Sequence, residues 1–365
     1  MQRMALLLLL SFILSNFSLA DGHIVIKVAI LDSAIPGMAS PEEMMKILDG
    51  YVWEGDNKTY EFRAEWITDF EISTGKLNEF DVLIIPGIAK GYTHFLGESS
   101  LSKWKNEIKK FIYSGGGYFG TCGGANMAAM GLLSPEERGW KQWTAWEWFM
   151  NKAALKIAPV KAYQDMADPI ACSIIWKNPF RLGQSAYIWY NFSADGAGVC
   201  QNCRVNRQHP VFNEYEKEER LIRWTGGPAL IPVGNVSILV WYPDENVSGV
   251  KGNESTSIHA WKFKFDLANM DFWDMEEELI ETHLASKPAA IACSYGKGRV
   301  IIFGNHPEYS VWKDGRIYEI EGKNFRFLGL FHWRDRQMLP PSYNWWIVRR
   351  SVAWVAGMDE LPPIE

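Results

Sequence analysis

The sequence contains one cysteine whose neighbours suit a nucleophilic thiol. Cys122 lies in residues 120–124, GTCGG, which fit a G-x-C-x-G pattern. The apolar residues 118–121 predict a buried strand, and residues 123–130 predict a helix that ends at Gly131. A strand, a sharp turn at the cysteine and a helix together form the thiol counterpart of the G-x-S-x-G nucleophile elbow.

This interpretation explains why glycines flank Cys122. They allow the strand and the helix to approach closely while the cysteine keeps a strained backbone conformation. The positive end of a helix dipole favours thiolate over thiol, and the N–H of Gly123 would point to the position of a substrate oxyanion. The alternative is that Cys122 is a small buried hydrophobic residue, as most free cysteines are.

A histidine and a glutamate follow a second predicted strand, at residues 299–303. His306, Pro307 and Glu308 come after its carboxyl end, where we also expect Cys122. Because the proline restricts the backbone, Glu308 can hold one imidazole nitrogen while the other faces the sulfur. Such a histidine would activate the thiol and later protonate a leaving amine. The alternative is a turn that carries a surface histidine and glutamate.

The elements that would position these residues alternate between strands and helices. Residues 24–31 form an almost continuous apolar run, which predicts a central parallel strand. Further strands are predicted at 60–67, 81–86, 229–233, 236–242, 258–265 and 289–295, and helices at 41–48 (with Ser40 as N-cap), 101–113, 140–154 and 343–356. We expect an α/β fold with a flavodoxin-like open, mostly parallel sheet and helices on both faces.

One stretch interrupts this regularity. Residues 136–220 are rich in aromatic, charged and turn-forming residues. We interpret them as an aromatic-rich insertion in a single α/β domain of residues 21–365.

The amino-terminal residues predict export. Residues 1–20 combine Arg3, an apolar run at 5–14 and the small-residue site Ser18-Leu19-Ala20, as in a signal peptide. We therefore expect an exported protein, extracellular or in the cell envelope. No other run approaches the length of a membrane span, so no stable span is expected after cleavage. The formal net charge of −6 without a basic block argues against nucleic acid as a partner.

Export has consequences for asparagine and cysteine residues. The sequence has N-x-S/T tripeptides at Asn57, Asn191, Asn235, Asn246 and Asn253, which make it a candidate glycoprotein. Its five cysteines are expected to pair in part, with Cys122 left free. For Cys200-x-x-Cys203 a local disulfide is favoured over a metal site, because no second close pair of ligands is present. No metal or cofactor motif is evident.

Two of these motifs together resemble a known family. Residues 120–124 with His306-Pro307-Glu308 resemble the class I glutamine amidotransferase-like superfamily, in the same chain order. Residues 116–125 (GGYFGTCGGA), 226–228 (GGP) and 296–308 (GKGRVIIFGNHPE) look most like the domain at the amino terminus of some biotin–protein ligases. The resemblance covers roughly residues 24–135 and 220–357, and no ligase domain follows.

The resemblance implies roles for individual residues. By this likeness Cys122 is the nucleophile, His306 the base and Glu308 the residue that orients it. The family's Pro-Gly-Gly oxyanion loop reads here as Pro86, then Gly87 and Ile88. The amides of Ile88 and Gly123 would hold the oxyanion, and Gly227 would lie on a neighbouring substrate loop.

Three functions are compatible with these features. The leading hypothesis is an exported cysteine hydrolase or amidotransferase-like enzyme that cleaves an amide or peptide-like bond through a thioester on Cys122. Its substrate would be a small molecule or a peptide. The alternative is a non-catalytic module that binds a ligand or protein on the same fold. A third hypothesis is redox sensing by Cys122. The oligomeric state is not indicated by the sequence.

Overall fold

The chain folds around one large sheet with helices on its faces. The computed structural model describes residues 22–32, 39–55, 58–87, 98–134, 137, 145–163, 185–188, 199–244, 258–266, 271–280, 284–313, 316–321, 330–334 and 336–365. The predicted signal peptide and Ile88 lie outside these ranges.

The described strands and helices follow one another in this order. The strands are β1 (Gly22–Leu31), β2 (Val52–Gly55), β3 (Lys58–Ile67), β4 (Val82–Ile85), β5 (Gly117–Thr121), β6 (Val160–Tyr163), β7 (Ser185–Ile188), β8 (Val199–Val205), β9 (Glu219–Trp224), β10 (Ala229–Pro232), β11 (Ser237–Trp241), β12 (Ile258–Asp266), β13 (Asp271–Ile280), β14 (Pro288–Tyr295), β15 (Gly298–Phe303), β16 (Trp312–Lys313), β17 (Arg316–Glu321), β18 (Leu330–Arg334) and β19 (Gln337–Met338). The α-helices are α1 (Ala39–Leu48), α2 (Asp69–Ser73), α3 (Glu98–Tyr113), α4 (Gly123–Ala128), α5 (Ala145–Ala153) and α6 (Trp345–Val355), and Lys76–Glu79 forms a 3₁₀ helix.

The main sheet has ten strands in the order β2-β3-β1-β4-β5-β15-β14-β11-β8-β9. Its parallel part is β3-β1-β4-β5-β15. All side chains of β4 and β5 are buried, as expected for strands with protein on both faces. Because β5 and β15 are adjacent and parallel, their carboxyl ends place Cys122 and His306 at the same edge of the sheet.

The remaining strands make the sheet mixed. Four of the nine pairings in the described sheet are parallel. The other five are antiparallel. The α/β class is confirmed, but a flavodoxin-like, mostly parallel arrangement is not. A tight turn at Gly296, which has a φ of +61°, joins β14 to β15 and imposes the antiparallel pairing of this hairpin. The expected insertion, residues 136–220, contributes β8 to the main sheet.

Two hydrophobic clusters cover the two faces of the sheet. One includes Phe62 of β3 and Trp346 of α6. The other includes Trp104 of α3, Ile108 of α3 and Met127 of α4. Successive residues at the carboxyl end of β1 and along β4 belong alternately to the first and the second cluster, because successive side chains of a strand point to opposite faces of the sheet. Within the described part of the chain, no helix is both long and apolar enough to cross a membrane.

Candidate active site

Cys122 occupies a strained turn between β5 and α4. Its φ of 47° and ψ of −101° are rare for a residue with a side chain, and such a conformation costs about 1–3 kcal/mol. The turn is held by a hydrogen bond of 2.7 Å from the Cys122 N–H to the carbonyl of Phe303 in β15. A Cβ on Gly124 would lie 1.9 Å from the Ile85 carbonyl oxygen, so no larger residue fits there. The predicted strand–turn–helix is therefore present.

His306 and Glu308 form a buried pair beside this turn. Imidazole Nδ1 lies 2.7 Å from Glu308 Oε1, and the two residues are 2% and 0% exposed. A Cβ on Gly87 would lie 2.5 Å from His306 Cε1 and 3.4 Å from Cys122 Cβ. The imidazole and the thiol therefore flank Gly87, with these two atoms no more than about 6 Å apart. Within the described residues, His306 Nε2 has no hydrogen-bond partner.

The two groups of the pair shift each other's protonation. Burial disfavours the charged imidazole, but attraction to Glu308 and contact with the Cys122 side chain outweigh it and raise the pKa of His306. Burial also disfavours the Glu308 carboxylate, but His306 and the hydrogen bonds to the carboxylate outweigh this effect and lower the pKa of Glu308. At neutral pH the pair is therefore an imidazolium and a carboxylate.

Two hydroxyl groups hold the carboxylate in place. Glu308 Oε1 accepts hydrogen bonds from Ser40 Oγ at 2.6 Å and from Thr121 Oγ1 at 3.0 Å. The sequence predicted Ser40 only as the N-cap of a helix from residue 41, whereas α1 already begins at Ala39. Its contact lies 268 positions away along the chain, and no local pattern indicates such a partner. Thr121 lies inside the G-x-C-x-G motif, and its position next to Cys122 was the only feature of the sequence that could have indicated a role in the site.

An aromatic ring covers the imidazole. Tyr309 stacks on His306 with ring centroids 4.7 Å apart and an interplanar angle of 16°. The guanidinium of Arg223 lies 4.9 Å from the centroid of the Tyr309 ring. The carbonyl of Arg223 also accepts a 2.7 Å hydrogen bond from the His306 N–H. These contacts fix the ring plane, and the sequence-based prediction missed both residues.

The expected oxyanion donor is already engaged. The Gly123 N–H donates a 3.1 Å hydrogen bond to the carbonyl of Gly87, which therefore occupies the acceptor position that the prediction gives to a substrate oxyanion. The Gly87 N–H donates to Ser40 Oγ at 3.2 Å. The other expected donor, the amide of Ile88, lies outside the described residues.

Gly227 adjoins the turn, as expected of a loop beside the site. A Cβ at this position would lie 1.8 Å from the carbonyl oxygen of Gly304 and 3.3 Å from Cys122 Cα. The backbone of Gly227 therefore packs directly against the elbow, and only glycine fits.

The predicted disulfide between Cys200 and Cys203 is wrong. Both thiols are free and buried, as is that of Cys293. The two residues lie in β8, where three steps of about 3.3 Å separate their Cα atoms by more than a disulfide can bridge. Burial raises the pKa of Cys200 and Cys203 to about 12. Among the described residues, no group of three or more His, Cys, Asp or Glu could hold a metal ion.

Other expectations from the sequence fall partly outside the described residues. Of the five candidate glycosylation sites, Asn235 is described and exposed. His209, the histidine near the Cys200-x-x-Cys203 pair, packs against Trp354 with ring centroids 4.9 Å apart. Burial lowers its pKa to about 4, which is consistent with a neutral core histidine.

Comparisons with known proteins do not assign the chain to a family. The sequence matches no protein-family model, and no curated protein is significantly similar to it. Among solved structures, a cytoplasmic protein from Salmonella typhimurium is similar at a TM-score of 0.35 and 10% identity, over 76% of this chain and 86% of that chain. A glutamine amidotransferase from Thermotoga maritima is similar at a TM-score of 0.33 and 8% identity, over 78% and 76%. A β-galactosidase from Rahnella sp. is similar at a TM-score of 0.36 and 10% identity, over 78% of this chain and 29% of that chain. Likenesses at this level establish neither a family nor an activity, and they lend no support to the biotin–protein ligase resemblance.

Proposed function

We propose that the protein is a cysteine hydrolase or amidotransferase-like enzyme that cleaves an amide or peptide-like bond. Cys122 is the nucleophile, His306 the general acid and base, and Glu308 the residue that orients the imidazole. One observation carries the proposal: the imidazole and the free thiol flank Gly87 while Glu308 binds the imidazole nitrogen Nδ1. Convergence of a thiol, an imidazole and a carboxylate in this order is the arrangement that activates a cysteine.

The reaction proceeds in two halves. The Cys122 thiolate attacks the carbonyl carbon, and the tetrahedral intermediate collapses as the C–N bond breaks and His306 Nε2–H protonates the leaving amine. A thioester remains on Cys122. His306, now neutral, takes a proton from water, and the hydroxide attacks the thioester carbon. The tetrahedral intermediate collapses to the carboxylic acid, the sulfur departs as thiolate, and His306 keeps the proton that it took from water. The net reaction is amide plus water to acid plus amine, and it requires neither a metal nor a cofactor.

The oxyanion position must open during this reaction. The Gly123 N–H can stabilise an oxyanion only after it releases the Gly87 carbonyl. The incoming substrate oxygen would replace that carbonyl as the acceptor, with Ile88 as the second donor. Substrate binding and formation of the oxyanion hole are then one event.

The finer features expected from the sequence belong to the same proposal. The protein would be a class I glutamine amidotransferase-like enzyme closest to the biotin–protein ligase amino-terminal type, with the parallel strands β3-β1-β4-β5-β15 as its flavodoxin-like core. Residues 21–365 would form one domain with 136–220 as an insertion. Residues 1–20 would direct export to the cell envelope or the exterior, where glycans can be attached. Amino-terminal sequencing of the protein recovered outside the cell should begin at Asp21, and retention of residues 1–20 contradicts export by cleavage.

An acylation experiment tests the enzymatic proposal. Purified protein is mixed with p-nitrophenyl acetate, release of p-nitrophenolate is followed, and the acetylated residue is located by mass spectrometry. We expect a stoichiometric burst and an acetyl group on Cys122, both lost in Cys122→Ala and strongly slowed in His306→Ala. Cys293→Ala is the matched control, because it removes another free thiol, which is buried on β14. Absence of acetyl-Cys122 in the wild type would reject the hydrolase. A panel of small amides and peptides then identifies the substrate class.

A binding module on the same fold is the second candidate. The hydrogen bond between Gly123 and Gly87 favours it, because this bond fills the oxyanion position in the structure. A protein that binds peptides or small molecules from the same panel, with no acylation of Cys122 and no difference in His306→Ala, fits this candidate instead.

A further inference from the structure

We propose that Ser40 is a positioning residue that links the Gly87 loop to the triad carboxylate, so that the oxyanion position and the imidazole are aligned together. The inference rests on the function proposed above and adds a residue to its site. Ser40 lies in the first turn of α1, far in sequence from Cys122, His306 and Glu308.

The Ser40 hydroxyl satisfies two groups at once. It donates to Glu308 Oε1 at 2.6 Å and accepts from the Gly87 N–H at 3.2 Å. A hydroxyl has one donor and two acceptor sites, so both contacts can be made together. Ser40 is 0% exposed, and its contact with Glu308 is buried, so water does not compete for that contact.

This hydroxyl completes a continuous chain of hydrogen bonds. The Gly123 N–H binds the Gly87 carbonyl at 3.1 Å, and the Gly87 N–H binds Ser40. Ser40 binds Glu308, and Glu308 binds His306 Nδ1 at 2.7 Å. The chain therefore runs from the residue after the nucleophile to the imidazole. The Gly87 N–H and carbonyl belong to different peptide groups, so the Gly87 backbone links the two ends mechanically, whereas the bond from the Gly87 N–H to Ser40 and the bond from Ser40 to Glu308 polarise each other directly.

Ser40 is the member that holds both sides of the site. When the Gly87 carbonyl leaves Gly123, the Gly87 N–H can stay bound to Ser40, which keeps Gly87 in position against the imidazole. Without the hydroxyl, the Gly87 loop loses this anchor and Glu308 loses its shortest hydrogen bond. Acyl transfer, which needs the oxyanion position, should then suffer more than simple attack by the thiol.

Two probes separate these effects. Iodoacetamide alkylates Cys122 by displacement at a saturated carbon and forms no oxyanion, whereas p-nitrophenyl acetate acylates it through a tetrahedral oxyanion. For Ser40→Ala we expect acylation to slow by about tenfold more than alkylation, as for loss of a hydrogen bond to a charged group. Ser351→Ala is the matched control, because Ser351 is another fully buried serine, in α6. Equal losses with both probes, or losses no larger than in Ser351→Ala, would overturn the proposal.

If the wild type does not acylate at all, the proposed function fails, but the role of Ser40 can still be tested by NMR of His306. Glu308 senses Ser40 directly, so the Nδ1–H resonance of His306 and its titration should change in Ser40→Ala. They should stay unchanged in Ser351→Ala. An unchanged His306 resonance in Ser40→Ala, in protein whose thermal unfolding matches that of the control, overturns the role of Ser40 whatever the enzyme does.

Discussion

Gly87 and His306 are packed so closely that one added carbon on the glycine would overlap the imidazole, at 2.5 Å from Cε1. The same carbon would lie 3.4 Å from Cys122 Cβ, so it would stand between the two groups that must cooperate. The absence of a side chain at residue 87 is therefore a requirement of the site geometry and not only of the loop.

Gly87→Ala should uncouple the thiol from the imidazole. The new methyl group displaces His306, and a displacement of about 1 Å can slow a reaction by about 100-fold. We expect acetylation of Cys122 to slow by about 100-fold. The free energy of unfolding should fall by less than the rise in the activation free energy of acetylation. Gly22→Ala is the control, since its methyl group would make an ordinary contact of 3.4 Å with the Lys58 side chain. Acetylation as fast as in the control would contradict the assigned geometry.

Glu308→Gln should destabilise the protein in a pH-dependent way. The pKa of His306 is raised above 6.5, so its share of the pair's stability is complete below pH 6.5 and is lost as the pH rises through the raised value. The pKa of Glu308 is lowered below 4.5, so its share is complete above pH 4.5 and is lost as the pH falls. We expect a loss of about 3–5 kcal/mol near pH 5.5, and smaller losses near pH 3 and pH 11.

Urea unfolding at these three pH values checks this expectation. The exposed pair of Glu137 and Lys161, 2.9 Å apart, provides the control variant Glu137→Gln. Solvent screens this surface pair, so its loss should change stability far less than Glu308→Gln. A Glu308→Gln effect that is equal at all three pH values would show that the buried groups do not form an ion pair.

Thr121→Val tests the second hydroxyl on the carboxylate. Valine has nearly the volume of threonine but cannot donate to Glu308 Oε1, which now lies 3.0 Å from the hydroxyl. We expect a loss of about 1–3 kcal/mol in chemical unfolding. Among the described hydrogen bonds none joins Thr121 to Gly87, so acylation and alkylation of Cys122 should slow to a similar extent, unlike in Ser40→Ala. A selective loss of acylation would assign to Thr121 the role proposed for Ser40.

Thiol titration tests the state of the buried cysteines. Cys200, Cys203 and Cys293 are free and buried, and burial raises the pKa of each to about 12. In the native protein they should react slowly with a disulfide reagent, whereas Cys122, which is partly exposed, should react first. After denaturation without reductant all four should react. Peptide mapping that finds Cys200 joined to Cys203 would contradict the structure.

The local part of the site was predictable because its signals lie within a few residues. The elbow at Cys122 requires neighbouring glycines, because a Cβ on Gly120 or Gly124 would overlap backbone atoms. These glycines are close to the cysteine in the sequence, so the motif can be recognised without the structure. The short spacing between His306 and Glu308 likewise permits their contact. Ser40 could not be found in this way, because its partner is 268 positions distant and its type suits a helix cap equally well.

The antiparallel half of the sheet was not predictable for a different reason. The sequence of β8, VCQNCRV, has neither a long apolar run nor clean alternation, so its place is set by pairing with β9 and β11. The closed hydrogen bond from Gly123 to Gly87 depends on the conformation of a loop that residue types alone do not specify. The spacing of Cys200 and Cys203 suggested a disulfide, but both residues lie in the extended strand β8, where their Cα atoms are too far apart to be bridged.

The last strand of that antiparallel half returns to the loop after its first strand. Arg223 of β9 forms a bridge with His306, although four other strand pairings separate β9 from β15 in the order of the sheet. These strands therefore curve back far enough for β9 to pair with a residue three positions past the end of β15. An outer strand fastened in this way offers less open backbone for pairing with another molecule. The bridge holds the backbone of His306, so the Cα–Cβ direction from which the imidazole extends is set by an outer strand of the sheet as well as by the loop after β15.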